Sequence, residues 1–97
     1  MKILDRERLD RFCRKHADAR SWIENWLADV ETARWQTPQD IRNRYASASF
    51  LGGGLVVFNV KGNAYRLEAT VAWRTATVVV EWIGTHREYD ARNKDRR

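Results

Sequence analysis

The spacing of apolar residues changes halfway along the chain, and this change limits the fold more than any other feature. In the first half, an apolar stripe recurs every three or four positions, at Ala19, Trp22, Ile23, Trp26, Val30 and Ala33. That spacing is typical of a helix with one buried face. Beyond residue 54, apolar residues instead alternate or form dense runs, which is typical of strands. Helices followed by strands predict an α+β fold, with N-terminal helices packed on a small antiparallel sheet.

Residues that cap helices predict where the helices begin. Asp5 and Asp18 each precede an apolar helical stripe, and a side-chain oxygen at such a position can accept a backbone N–H. Thr37-Pro38 predicts a third, short helix that ends near Tyr45, because a capping residue is followed by proline at the first helical position. Lys2–Leu4 predicts a short first strand.

Three strands are predicted in the second half, over Leu55–Val60, 65–73 and 77–83. The loop Gly52-Gly53-Gly54 precedes them. Short turns at 61–64 and at Thr75-Ala76 predict that neighbouring strands are antiparallel.

The register of these strands follows if apolar residues share one face. The apolar pairs are then Val60 with Tyr65, Phe58 with Leu67, Val56 with Ala69, Trp73 with Val78, Val71 with Val80 and Ala69 with Trp82. On the opposite face this register predicts one cross-strand row of Asn59, Arg66 and Thr85, with His86 next in the chain. A bulge in either ladder would shift the row.

Length, charge and cysteine content restrict the partners and the compartment. With 97 residues, we expect one domain over 1–97, with a basic tail at 90–97 that frays. The net charge of +5 favours a polyanionic partner such as RNA, DNA or a ribosome, without choosing among them. One cysteine, no apolar leader and no long apolar run predict a cytoplasmic protein without a membrane span.

A further helix is predicted to begin directly after the last strand, because Thr85-His86-Arg87-Glu88 has the pattern of a capping box. Backbone N–H groups at such a helix start attract anions, including phosphate. His86 would lie there across from Arg66, and this arrangement suits RNA cleavage. In that reaction a base takes the proton of the ribose 2′-OH, positive groups stabilise the phosphorane, and an acid protonates the departing 5′-oxygen.

Five side chains are candidates for this chemistry. His86 can act as base or acid. Arg66 and Lys61 can bind the phosphate, Arg66 through two parallel hydrogen bonds. Tyr89, on the same helical face as His86, can donate a proton or stack on a base, and Asp90 can orient His86.

Simpler structural interpretations are open for these and other residues. Arg66 could pair with Glu68 or Glu81 across the sheet, and His86 could only begin a helix. His16 extends an apolar stripe, so it is expected to pack or to lie at the surface.

The remaining reactive and aromatic residues are expected to be structural. Cys13 is interpreted as a buried, inert thiol. Two histidines and one cysteine far apart in sequence do not predict a metal site, and no cofactor is expected. Four tryptophans fall on predicted core faces: Trp22, Trp26, Trp73 and Trp82.

Two motifs are specific as a pair: Lys-Gly-Asn-x-Tyr-Arg at 61–66 and Gly-Thr-His-x-x-Tyr-Asp at 84–90. With segment 26–51 and the strand before the first motif, they span most of the chain. In these segments the chain resembles the HigB toxins of bacterial toxin–antitoxin modules, mRNA interferases related in fold to RelE. It departs from them at Gly52-Gly53-Gly54, which is unusually rich in glycine, and at Arg87, whose position looks variable.

The resemblance implies a RelE-like fold and cleavage of mRNA, on the ribosome. It also implies inhibition by a HigA-like antitoxin with a helix-turn-helix domain, and repression of the operon by the complex. We expect catalytic roles for His86, Arg66, Tyr89 and Lys61, and RNA contacts from Asn59, Asn63, Arg87 and Asp90.

Two other functions are open at this point. A non-catalytic RNA- or ribosome-binding module would block translation and leave transcripts intact. A protein-interaction domain would mainly hold an antitoxin-like partner through its apolar helix face.

Overall fold

A computed structural model describes residues 1–94 of the chain. In this part of the chain, a strand and three helices precede four strands and a last helix. The helices are α1 (Glu7–Lys15), α2 (Arg20–Thr32), α3 (Pro38–Arg44) and α4 (His86–Lys94), and a 3₁₀ turn, Ala17–Ala19, leads into α2. The strands are β1 (Lys2–Leu4), β2 (Ser49–Gly52), β3 (Leu55–Val60), β4 (Tyr65–Ala72) and β5 (Thr77–Thr85).

These strands form one sheet in the order β1-β5-β4-β3-β2. β1 runs parallel to β5, and the other neighbours are antiparallel. The α+β prediction is therefore confirmed, with a mostly antiparallel sheet. The sequence did not predict β2, a short edge strand whose pairing with β3 is irregular between Phe50 and Gly52.

The helix stripe predicted from the sequence packs on one face of the sheet. Trp26 of α2 is fully buried and meets Phe58 of β3 edge to face, with 5.4 Å between the ring centroids. The same cluster includes the predicted buried thiol of Cys13, while Trp22 and Trp73 pack at its margin. Each large apolar side chain buried in this way stabilises the fold by roughly 1.5–3 kcal/mol. This face therefore supplies the main part of the folding free energy.

Of the three helix caps predicted in the first half of the chain, one forms. Thr37 accepts the backbone N–H of Asp40, whose carboxylate accepts the N–H of Thr37 in return, and α3 begins at Pro38 as predicted. Asp5 is not a side-chain cap, because its backbone carbonyl is the group that accepts the N–H of Arg8. Asp18 is not a cap either, because its carboxylate is bonded to the side chains of Lys61 in the turn and Tyr65 in β4.

The ladder between β3 and β4 has the predicted register. Asn59 lies opposite Arg66 on one face, and Val60 lies opposite Tyr65 on the other. A four-residue turn over 61–64 joins the two strands, as predicted.

The predicted register between β4 and β5 is wrong, for two physical reasons. The turn covers four residues, 73–76, instead of Thr75-Ala76, and a bulge at Glu81 adds a residue to β5. Arg66 therefore lies opposite Gly84, and Thr85 lies opposite Tyr65. The row of Asn59, Arg66 and Thr85 is broken, because Thr85 is on the other face.

The bulge also places Trp82 on the second face of the sheet, beside Glu68, and not in the predicted core. α4 packs on this face. The Arg92 guanidinium donates two hydrogen bonds to the Glu68 carboxylate, at 3.1 and 3.3 Å, and lies 4.7 Å from the centre of a Trp82 ring. Glu68 is only 1% exposed, so the charged pair lies beneath α4. Residues 90–94, expected to fray, complete this helix; residues 95–97 lie outside the described part of the chain.

The ion pair beneath α4 should matter more to stability than the exposed ion pairs. We expect Arg92→Met to lower the free energy of unfolding by about 2 kcal/mol. This is less than the roughly 3–5 kcal/mol for breaking a fully buried pair, because the Arg92 side chain is 37% exposed. The control is Arg6→Met, which breaks the exposed pair with Glu31 and should cost about 0–1 kcal/mol. Urea unfolding measures both, and equal losses would contradict the assigned role of Arg92.

The turn between β2 and β3 needs glycine most at position 54. Gly54 has φ +81°, and a Cβ there would lie 2.7 Å from the backbone oxygen of Val71. Gly53 has φ +59°, and a Cβ there would have no atom within 4 Å. Gly53→Ala should therefore cost about 1 kcal/mol from the left-handed backbone alone, and Gly54→Ala about 2 kcal/mol more from the added clash. Urea unfolding midpoints test this, and similar losses at both positions would refute it.

Candidate functional site

The turn over 61–64 and the start of α4 meet at one end of the sheet. The pairing of Tyr65 with Thr85 brings the two chain segments side by side, and the backbone N–H of His86 donates to the carbonyl of Ala64 at 3.1 Å. The turn is tight because Lys61 and Gly62 both have left-handed backbones, with φ of 51° and 69°. We call this junction the turn–helix rim; it comprises residues 61–66 and 85–90.

Arg66 organises the turn side of the rim. Its guanidinium donates to the carbonyls of Asn63 and Tyr65, at 3.3 and 3.1 Å, and to Oδ1 of Asn63 at 2.9 Å. The guanidinium carbon lies 5.9 Å from the centre of the Tyr89 ring on α4. Arg66 is only 9% exposed, so its charge lies just below the surface of the rim. Of the alternatives considered for Arg66, no pairing with Glu68 or Glu81 is found among the salt bridges of residues 1–94.

His86 and Asp90 face each other one helical turn apart. Nε2 of His86 lies 3.2 Å from a carboxylate oxygen of Asp90, and both side chains are about half exposed. Side chains four residues apart lie on one face of a helix, so the Asp90 carboxylate stands beside the imidazole. Solvent, and any bound molecule, can reach the imidazole from the rim.

The predicted capping box at the start of α4 is confirmed. The N–H of Glu88 donates to Thr85 Oγ1 at 3.1 Å, and the N–H of Thr85 donates to the Glu88 carboxylate at 2.8 Å. The bond from the Thr85 backbone holds the pKa of Glu88 below its ordinary value, with smaller contributions from the Thr85 hydroxyl and the Lys15 charge. The N–H groups of His86 and Glu88 are thus already bonded. The sequence predicts an anion site at this helix start, but these two backbone N–H groups cannot bind an anion without losing their present partners.

Lys61 lies away from the Arg66 cluster, although both residues belong to the same motif. Its ammonium group is 3.1 Å from the carboxylate of Asp18, which also accepts the Tyr65 hydroxyl at 2.7 Å. The Tyr65 and Lys61 hydrogen bonds lower the pKa of Asp18, and the bond to Asp18 raises the pKa of Tyr65. These contacts hold the turn over 61–64 against the 3₁₀ turn that precedes α2. The Lys61 side chain is still half exposed.

The remaining predicted site residues are Asn59, which lies outside the rim, and Arg87, which lies within it. Asn59 is half-buried beside Arg66, and Arg87 is exposed one position beyond His86. The structure thus joins Asn63, Arg66 and Tyr89 in one set of contacts and His86 and Asp90 in a second set on the same helix, and it sets Lys61 apart on Asp18.

Sequence reasoning missed two features near the rim. The first is the Glu68–Arg92 pair that holds α4 on the sheet. No local sequence pattern predicts this pair, because the bulge at Glu81 determines which residues of β5 lie beside Glu68. The second is a basic cleft along α1, which borders His16. His16 itself stacks on Phe12, with ring centroids 4.4 Å apart, in agreement with the expected packing role.

Two further properties of the described chain bear on what it can bind. Across residues 1–94, no group of three or more His, Cys, Asp or Glu side chains is arranged to hold a metal ion. Over the same residues, no helix has the length and apolar character needed to cross a bilayer.

The chain was also compared with known proteins. A family model described as HigB_toxin, the RelE-like toxic component of a toxin–antitoxin system, matches residues 19–92. No curated protein matches the chain. The matched span covers α2, α3 and four of the strands and most of α4, and it includes every residue of the turn–helix rim. The chain therefore belongs to the HigB family of RelE-like toxins from toxin–antitoxin systems.

Proposed function

We propose that this toxin is an endoribonuclease that cleaves mRNA on the translating ribosome in the cytoplasm. Family membership makes it the toxin of a toxin–antitoxin system and implies an antitoxin partner. The observation that supports nuclease activity is the turn–helix rim. Two contacts support this: the half-exposed His86 imidazole lies 3.2 Å from the Asp90 carboxylate, and the ring of Tyr89, three residues after His86 on the same helix, lies 5.9 Å from the Arg66 guanidinium carbon.

The proposed reaction uses the ribose 2′-OH as the nucleophile. Nδ1 of His86 takes the 2′-OH proton while the 2′-oxygen attacks the adjacent phosphorus. The bond from phosphorus to the 5′-oxygen breaks, and that oxygen leaves with a proton donated by the Tyr89 hydroxyl. The products are a 2′,3′-cyclic phosphate on the upstream fragment and a 5′-hydroxyl on the downstream fragment.

Arg66 supplies positive charge to the phosphorane that forms during this reaction. Its three observed hydrogen bonds use three of the five guanidinium N–H groups. The two others are proposed to donate to a phosphate oxygen of the RNA. Charge placed in advance near a developing anion is often the largest single contribution to catalysis. By holding Asn63, the same residue fixes the turn against which the RNA lies.

The remaining predicted residues contact RNA around this centre. Asn59, Asn63 and Arg87 are proposed to bind bases or phosphates of the strand, and Asp90 orients His86. The half-exposed ammonium of Lys61 is proposed to reach a phosphate by exchanging its partner Asp18 for the RNA.

The proposed inhibitor is a HigA-like antitoxin with a helix-turn-helix domain, and the toxin–antitoxin complex is proposed to repress its own operon. This part of the proposal follows the resemblance to HigB toxins.

A non-catalytic module that blocks translation is the second candidate function. One observation favours it: the two expected phosphate ligands are already engaged, Arg66 by the turn and Lys61 by Asp18. Such a module would need the charge and surface of the rim but no base.

The two candidates differ in what happens to mRNA after induction in bacteria. We expect wild type to arrest growth and to create new mRNA 5′ ends in frame with codons, as mapped by primer extension. His86→Ala should lower the cleavage rate about 10²- to 10⁴-fold, the usual contribution of a general base. The control is Gln36→Ala, at an exposed position between α2 and α3 that lies outside both the rim and the cleft along α1. Its cutting sites should be those of wild type.

Arg66→Ala tests the charge at the rim, with exposed Arg74→Ala as its control. If both His86→Ala and Arg66→Ala stay fully toxic, the proposed site is wrong. Growth arrest with intact transcripts would support the non-catalytic module instead.

A further inference from the structure

A cleft of about 560 Å³ runs between α1 and the free edge of β5. β1 pairs only with residues 77–79 of β5, so the second half of β5 borders α1 instead of another strand. The residues that line the cleft include three cations, Arg8, Arg11 and Lys15, and three ring side chains, Phe12, His16 and Trp82.

The helix side of the cleft carries a stripe of cations. Arg8, Arg11 and Lys15 follow each other at spacings of three and four, so they share one face of α1. None of the three forms an ion pair within the described part of the chain. A fourth cation, Arg14, is neutralised by Asp10 at 3.0 Å.

Within the described part of the chain, the charge of Lys15 lowers the pKa of Glu88, but none of the three cations has an acidic partner within ion-pair distance. Like charges at these spacings repel each other along a helix, and α1 is anchored by its apolar residues Leu9 and Cys13 instead. Three unpaired cations beside a cleft therefore point to an anionic ligand with repeated charges.

The floor of the cleft is aromatic. Phe12 and His16 are stacked with ring centroids 4.4 Å apart, and the Trp82 ring lies on the strand side. Flat rings between cations are the features that bind single-stranded nucleic acid, since bases stack on the rings while phosphates meet the charges. An acidic peptide would use the cations but not the rings.

The cleft is continuous with the turn–helix rim. His16 touches Tyr65, whose ladder partner Thr85 precedes His86. The one carboxylate among the cleft-lining residues, Glu88, lies two residues after His86 and is engaged by the Thr85 N–H. A strand bound at the rim can thus extend along α1.

We propose that this cleft binds the single-stranded RNA next to the cleaved phosphate, with Arg8, Arg11 and Lys15 on successive phosphates. The inference rests on the proposed function, because it assigns a path to the substrate of that site. It also gives α1 a role in affinity that is separate from the chemistry at His86.

The test measures binding of a fluorescent single-stranded 2′-O-methyl RNA, which has no free 2′-OH and cannot be cleaved by the proposed reaction. Arg8→Gln, Arg11→Gln and Lys15→Gln are combined in one cleft variant. A control variant combines Lys2→Gln, Arg34→Gln and Arg74→Gln, which lie elsewhere on the chain and change the net charge equally. Both variants are checked for native stability by urea unfolding.

Three lost phosphate contacts should lower the slope of log affinity against log salt by about 2 and weaken binding about 100-fold at 0.1 M salt. The control variant should stay close to wild type. Equal losses in both variants would overturn the inference, since only net charge would then matter. An intact RNA affinity with loss of antitoxin binding would overturn it too, and would make the cleft a protein-docking surface. Cleft-dependent RNA binding by a toxin that leaves mRNA on translating ribosomes intact would support the cleft and contradict the proposed nuclease.

Discussion

The Glu68–Arg92 ion pair holds the candidate site together, because it docks α4 on a face of the sheet that the other helices do not cover. An exposed ion pair contributes about 0–1 kcal/mol, whereas breaking a buried pair is far more costly. Glu68 is buried at 1% exposure, and Arg92 reaches it from the far end of α4 across the Trp82 ring. The start of the same helix carries His86, Tyr89 and Asp90. The position of the imidazole over the turn therefore depends on contacts at the other end of the helix.

One face of the sheet mainly stabilises the fold, and the other face carries the candidate site. The face covered by α1, α2 and α3 is apolar and closely packed, and it needs no charged group to hold it. On the second face, Arg66 and Glu68 are buried under a single short helix, and their hydrogen bonds organise the turn–helix rim. Left-handed Lys61 and the repelling cations of α1 both act against stability, and both lie beside the site. Such local costs are expected where binding or catalysis sets the residue choice.

The sequence predicted a register or a helix start correctly where a single physical requirement determined it. The alternation of apolar residues determined the β3–β4 register, and Thr37-Pro38 determined the start of α3. The β4–β5 register could not be predicted, because the turn is two residues longer than expected and the bulge at Glu81 adds one residue without any change in the apolar pattern on either side. Asp5 and Asp18 look alike as caps in the sequence. Only the fold shows that the Asp18 carboxylate accepts hydrogen bonds from Tyr65 and Lys61, which are more than 40 residues away in sequence.

The sequence predicted one part of the candidate site correctly, because that part depends on local patterns. The capping box at Thr85 and the turn at 61–64 are local patterns, so His86 and Arg66 were placed at the same end of the sheet. The separation of Lys61 from Arg66 depends on which face each side chain takes, and on the distant Asp18. The anchoring of α4 by Glu68 depends on the bulge, so no local pattern contained it.

The chemistry of the cut RNA ends tests the central claim most directly. The purified toxin would be incubated with mRNA on translating ribosomes, and the ends of the fragments analysed by mass spectrometry. Attack by the 2′-OH with His86 as base predicts a 2′,3′-cyclic phosphate, or the 3′-phosphate from its hydrolysis, upstream of each cut and a 5′-hydroxyl downstream. Fragments with 3′-hydroxyl and 5′-phosphate ends, or mRNA that stays intact while translation stops, would contradict the account.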